Sequence, residues 1–354
     1  MQFKRVSPTN CVIPIASIFM KRIFVLLFTV TLTSCWDRDN DYEFEYEIIV
    51  TDIPVNLEGI NSSYDDYNSD LPYPAGGLGI YFSSNRQSGG THFDIIHKNF
   101  GLSYHVKDDV LDVHYTSNEY GSYENKLLPL INSDGDELGP FSFFGPEEYT
   151  YFFYADNQDG NFDIKYAHSL KSDFGTWNAK EVINGPDNLE LINSERDDLY
   201  PAINDDQTQL LFCSNRDHDY FNIYNILLPA EAALHGFLGS GGPGEITVDP
   251  VLSSDDNDKC PSIKDDLLVF ASDREGGYGG FDLYYSHQED GTWTTPLNFG
   301  PVINSEHDEY RPITFPFHDF KHVMIFSSNK PEGKGGFDLY IVKVDKAIKP
   351  PVSE

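Results

Sequence analysis

The chain repeats itself, and no other feature restricts its fold as strongly. An apolar strand ending in Phe-x-Ser, then Asn or Asp, then Arg, runs through a polar or glycine-rich turn to Phe-Asp and a second apolar strand. The first copy reads Tyr81-Phe82-Ser83-Ser84-Asn85-Arg86, then Phe93-Asp94-Ile95. A weaker copy reads Phe153-Tyr154-Ala155-Asp156-Asn157, then Phe162-Asp163-Ile164. Three more follow: Phe212-Cys213-Ser214-Asn215-Arg216 with Phe221-Asn222-Ile223, Phe270-Ala271-Ser272-Asp273-Arg274 with Phe281-Asp282-Leu283, and Phe326-Ser327-Ser328-Asn329-Lys330 with Phe337-Asp338-Leu339. A single hairpin cannot bury its apolar face alone, so repeated hairpins must stack on one another.

A second element precedes each copy: Ile60-Asn61-Ser62, Ile131-Asn132-Ser133, Ile192-Asn193-Ser194, the degenerate Leu252-Ser253-Ser254, and Ile303-Asn304-Ser305. Acidic residues come next, and then a proline that reads as the opening of a strand: Pro72, Pro140, Pro201, Pro261 and Pro312. Each unit holds two clear strands with room for two more, which predicts an all-β chain folded as a single five-bladed β-propeller. A six-bladed ring is the alternative, although no residues remain that carry the pattern. A propeller must seal its ring, and the alternating Phe44–Val50 segment is the expected closing N-terminal strand. Insertions are expected at 100–125 and 229–247, the latter with a helical turn, and these non-repeating loops are where function is expected.

The recurring polar residues read as structural. Asn85, Asp156, Asn215, Asp273 and Asn329 end a strand by bonding neighbouring backbone. Arg86 with Asp94 and Arg274 with Asp282 are expected to pair across the hairpin, with the related Arg216, Asp163 and Asp338 at matching places. The Phe before each Asp supplies an apolar wedge between blades, and Gly276-Gly277 and Gly335-Gly336 permit tight turns.

With these residues in register, the repeat resembles the TolB-type, WD40-like propeller repeat over residues 60–344. That resemblance implies a bacterial outer-membrane lipoprotein, facing the periplasm or the cell surface. The N-terminus is in keeping with it. Lys21-Arg22, the apolar run Ile23–Leu32 and Leu32-Thr33-Ser34-Cys35 read as a signal segment closed by a lipobox, with the true start at Met20 and lipid on Cys35. The domain reading is therefore signal peptide 1–34, acylated Cys35 and acidic tether 35–43, propeller 44–346 and tail 347–354.

The formal charge of −33 disfavours nucleic acid and anionic lipid headgroups as partners. Cys213 and Cys260 are candidates for a disulfide between blades, or for small buried residues. Asp156, Asp159 and Asp163, with Asn161, offer a calcium-like cluster, but Ala155 breaks the loop count. No cofactor is predicted, and calcium there is the alternative left open. Gly175-Thr176-Trp177 and Gly291-Thr292-Trp293 resemble sialidase Asp-box turns with the aspartate misplaced, so Trp177 and Trp293 read as packing residues. Neither a Gly-x-Ser-x-Gly turn nor a His-Glu-x-x-His helix is present, so the sequence names no catalytic group. The reading is a lipid-anchored, non-catalytic scaffold for an envelope or secreted protein or a cell-wall component. The alternative is a carbohydrate-active protein, glycan-binding or a glycosidase, that uses the propeller funnel. Two close, inward carboxylates outside the repeat pattern would favour the glycosidase.

Overall fold

Each copy of the pattern folds as a hairpin, and the preceding acidic segment adds a strand on the inside of it. In blade 1 the strands are Asp66–Asp70, Ile80–Ser84 and Asp94–Lys98. The four later blades begin at the inner strands Glu137–Phe144, Asp198–Ile203, Asp258–Lys264 and Glu309–Phe317. These five inner strands contact one another in a closed cycle, the last against the first, and so surround an axis. The architecture is a five-bladed β-propeller, seen in a computed structural model that describes residues 46–72, 79–115, 123–145, 149–170, 182–228, 234–239 and 244–348. The expected signal segment, Cys35 and its acidic tether lie outside the described residues, as do Gly175-Thr176-Trp177 and residues 349–354.

Ring closure is by an N-terminal strand, but a later one than Phe44–Val50. Val55–Asn56 pairs with Tyr340 and Ile341 as the outermost strand of blade 5. Tyr46–Val50 instead joins the hairpin of Phe100–His105 and Val110–Tyr115 in a separate three-stranded sheet. The reason is apolar: Ile48, Val50, Leu111 and Val113 bury together against Ile313, Phe315 and Ile341 of blade 5. That hairpin, followed by the helix Glu124–Ile131, is the first expected insertion, and the second carries the helical turn Leu234–Leu238.

Inside the blades, strands such as Asp198–Ile203 and Leu267–Ser272 are buried at every position rather than at alternate ones. A blade is covered on both faces, so period-two patterning gives way to continuous apolar runs. The wedge residues hold the joints between blades. The Phe162 amide donates to Asp197 and its carbonyl accepts from Asp198, and Phe93, Phe221, Phe281 and Phe337 repeat this against their own neighbours. Gly335 serves close approach rather than turn conformation, because a Cβ there would collide with the Tyr64 carbonyl of the next blade.

The prolines do not open strands. Pro140, Pro201, Pro261 and Pro312 lie within the inner strands, at a bulge where the ladder skips. Each follows a residue in the left-handed region: Gly139, Tyr200, Cys260 and Arg311, with Asn68 in the same place in blade 1. Inner strands face the axis with one edge unpaired, so a residue without an N–H is tolerated there. In blade 1 Ser69 takes the slot, and Pro72 falls beyond the strand.

Candidate functional site

The start of every inner strand carries a carboxylate: Asp66, Glu137, Asp198, Asp258 and Glu309, all fully buried. The sequence reading missed their role. Arg274 does not pair with Asp282; it reaches inward across the Phe270 and Tyr284 rings to Asp258 at 2.5 Å, and also bonds Ser272 and the Leu252 carbonyl. Arg86 likewise meets Asp66 rather than Asp94, Arg216 meets Asp198 at 2.6 Å, and Lys330 meets Glu309 at 3.3 Å. The hairpin carboxylates have other work. Asp282 accepts the Tyr278 and Gly279 amides and Asn298, and Asp338 accepts the Lys334 and Gly335 amides and Asn56 of the closing strand.

The Ile-Asn-Ser element completes this end of the blade. Ser194 donates its amide and hydroxyl to Asp198, while Asn193 clamps Ile164 of the previous blade by both its N–H and its C=O. The strand-ending residues pair with the acid before the inner strand, as Asn85 with Asp65 and Asn329 with Asp308. In blade 4 the two residue types are exchanged, Asn257 bonding Asp273, so the interaction survives the swap.

Blade 2 departs from its sisters. Asn157, not Asp156, bonds Asp136 and is the counterpart of Asn85, so the repeat sits one residue later than the spacing suggests. Gln158 then stands where the others have a cation. Lys165 supplies the charge from the third strand instead, bonding Asp156 at 2.8 Å with Asp159 at 3.7 Å. Its counterparts in blades 3, 4 and 5 are Tyr224, Tyr284 and Tyr340, opposite Phe212, Phe270 and Phe326. The Asp156, Asp159 and Asp163 cluster is thus organised by an ammonium group, and Asp163 turns to Asn161. Among the described residues no group of three or more His, Cys, Asp or Glu is placed to hold a metal ion. Glu137, left without an arginine, is pushed up to about 7 by burial, and its second carboxyl oxygen has no partner.

Of the two readings of the cysteines, a disulfide or small buried residues, the structure has the second. Cys213 and Cys260 are free buried thiols, with the Cys260 amide donating to Cys213 Sγ at 3.1 Å. The left-handed bulge at Cys260 turns its thiol to Tyr310, and burial pushes it up to about 11.

At the other end of the inner strands the repetition stops. There the strands enclose an axial cavity of about 380 Å3, walled by Phe141, Phe143, Phe144 and Phe315. A left-handed glycine shapes the blade 2 side, since a Cβ on Gly139 would stand 2.5 Å from the Tyr200 ring. Asp70 lies in the cavity wall and accepts the Ser142 amide at 3.0 Å and hydroxyl at 2.6 Å. Burial pushes its carboxyl up to about 6, against the pull of Ser142 and of the Arg311 charge. Asp205 is the contrast: burial acts to raise it, but the Lys264 ammonium at 2.6 Å and the Asp265 amide hold it below the ordinary carboxylate range. Asp70 has no acidic counterpart in the other blades, whereas Asp205 matches Asp265 of blade 4. None of the described residues of the two insertions lines this cavity.

No family model matches the chain, and no curated protein matches it. Solved structures do. An endo-arabinase from Bacteroides thetaiotaomicron VPI-5482 aligns over 86% of this chain and 99% of its own at 13% identity, with a TM-score of 0.47. An exo-1,5-alpha-L-arabinanase from a bovine ruminal metagenomic library aligns over 79% of this chain and 94% of its own at 9% identity and a TM-score of 0.46. A protein of unknown function from Dyadobacter fermentans DSM 18053 aligns over 87% and 85% at 10% identity and a TM-score of 0.49. The resemblance to the TolB-type, WD40-like repeat is therefore corrected: no family model supports it, and the similar structures bear other descriptions. Nothing in the comparisons supports the outer-membrane lipoprotein reading, whose signal segment and Cys35 lie outside the described residues. What remains is the propeller itself, which the strand pairing establishes.

Proposed function

We propose that the protein binds a saccharide in the axial cavity and is carbohydrate-active rather than a protein scaffold. The observation that carries this reading is the lining of one concave site, where aromatic residues of blades 2 and 5 stand together with Asp70, Asp205 and Arg311. Its volume of about 380 Å3 lies in the range of small-molecule sites. Aromatic faces suit the apolar faces of sugar rings, and a few fixed polar groups give orientation. A scaffold for proteins needs a broad exposed surface, whereas here the unrepeated chemistry is concentrated in a concavity.

The test is retention of the folded protein on an immobilised panel of plant and microbial glycans. Saturable binding to a saccharide, weakened at least tenfold by Phe143→Ala, is the expected result. Absence of binding, or binding indifferent to both Phe143→Ala and Phe315→Ala, overturns it.

A glycosidase reading is favoured by one contrast. Two carboxyls line one cavity, Asp70 pushed up to about 6 by burial and Asp205 held below the ordinary carboxylate range by Lys264 and the Asp265 amide. Environments that separate two carboxyls in this way assign an acid and a base. Release of reducing ends from the bound glycan, abolished by Asp70→Asn while binding persists, is the result this reading requires.

A further inference from the structure

Blade 2 lacks the arginine of its sisters, and blade 3 shows what that arginine fills. Arg216 Nη2 donates to Asp198 at 2.6 Å and to the Ile192 carbonyl at 2.5 Å, and Nε donates to Ser214 at 3.0 Å. The guanidinium lies over the Phe212 and Tyr224 rings. Arg86 and Arg274 make the same three kinds of hydrogen bond in blades 1 and 4.

Strand register carries each of these partners into blade 2. Glu137 stands for Asp198, Asp156 for Ser214, Tyr154 for Phe212 and Lys165 for Tyr224, and Ile131 precedes Glu137 as Ile192 precedes Asp198. Gln158, in the arginine's place, is exposed, whereas the Arg216 side chain is 16% exposed. Where the sisters hold a guanidinium, blade 2 has a pocket of about 430 Å3 lined by Ile131, Tyr154, Asp156, Gln158 and Lys165. It shares no lining residue with the axial cavity.

Lys165 makes good only part of the missing charge. Its Nζ meets Asp156 at 2.8 Å and Asp159 at 3.7 Å, and among the described residues no cation lies within 4.0 Å of Glu137. Glu137 is bonded to Ser133, which lines the pocket together with Asp134. Asp134, Glu137, Asp156 and Asp159 thus stand at or beside the pocket with one ammonium among them.

We infer that this pocket is a guanidinium subsite, in which an arginine side chain or a small guanidine from outside takes the place that a blade's own arginine holds elsewhere. Asp156 and the Ile131 carbonyl accept its N–H groups, the Tyr154 ring lies against its plane, and Glu137 attracts it by charge without contact. A neutral donor gains nothing from the surplus of carboxylates, and an ammonium lacks the planar fork that the site is shaped to hold. The subsite does not depend on the saccharide reading.

Thermal melting of the full-length folded protein at about pH 8, where Glu137 is ionised, tests the subsite with methylguanidinium, methylammonium and urea at fixed ionic strength. Urea keeps the planar N–H donors without the charge, and methylammonium keeps the charge without the plane. Methylguanidinium is expected to raise the melting temperature saturably, by about 2–4 °C at ten times its Kd, and to bind about tenfold more tightly than either control. Gln158→Arg, which gives the blade its own guanidinium, should abolish this response. Glu137→Gln should weaken binding by about threefold or more, and is the second variant if Gln158→Arg does not fold. The tripeptides Gly-Arg-Gly and Gly-Lys-Gly repeat the comparison with the cation carried on a peptide. A response to Gly-Arg-Gly supports an arginine side chain as the occupant, and a response to methylguanidinium alone supports a small guanidine. No response to either guanidinium probe, an equal response to the controls, or a response that survives both substitutions overturns the subsite.

Discussion

The two ends of the inner strands are built from the same backbone and obey opposite rules. At the starting end, every blade has a fully buried carboxylate, a serine bonded to it and an Asn–Asp clamp, and all but blade 2 add a cation lying over an aromatic ring. Charges there are neutralised within a few ångströms. At the finishing end, equivalent positions hold Asp70, Phe141, Ala202, Ser262 and Ile313, and donors are left over. Repetition marks what holds the ring together, and its loss marks where a ligand can be met.

The comparison is broken most forcefully at the starting end. Asp258→Ala leaves Arg274 buried without its carboxylate and is expected to cost about 3–5 kcal/mol in urea unfolding. Saccharide affinity of the protein that remains folded should not change. A loss under about 1 kcal/mol contradicts the structural role.

Blade 2 offers the converse test, since its sequence has moved the cation from position 158 to position 165. Restoring the common arrangement with Gln158→Arg and Lys165→Tyr together should raise stability by about 1–2 kcal/mol, because the new guanidinium pairs with Glu137. No gain would mean that Lys165 already does the whole task.

Arg311→Met sharpens the contrast from the cavity side. This arginine has one hydrogen bond and no carboxylate at contact distance, so its loss should alter stability by no more than about 1 kcal/mol. A loss like that of Asp258→Ala contradicts the contrast between the two ends.

A separate effect is on pH dependence. Glu137, raised from 4.5 to about 7, holds more protons in the folded than in the unfolded chain between those values. Its contribution therefore makes stability fall as pH rises through that window. Glu137→Gln should flatten this part of the stability–pH curve, and an unchanged slope contradicts the shift.

The repeat made the starting end legible. Phe162 and Phe281 were readable as wedges because a large apolar residue recurred at the same place, and their bonds to Asp197 and Asp308 follow from that position. The partner of Arg274 was not legible, since Asp282 is nearer along the hairpin and Asp258 becomes its neighbour only through the blade. The closing strand was missed because Val55–Asn56 is too short to show periodicity, and its anchor to Asp338 lies 282 residues away. The cavity was least legible, because its residues share nothing but a register. The one available signal was the residue before each inner-strand proline, where Arg311 stands out as a charge in a series of Gly139, Tyr200 and Cys260.

The most direct test of the account is a crystal structure of the full-length protein soaked with a saccharide that the glycan panel retains. The account predicts the saccharide in the axial cavity, stacked on the Phe141–Phe143 wall beside Asp70. A saccharide seated instead at the starting ends of the inner strands, over Asn85 and Asn215 with the axial cavity unfilled, would contradict it.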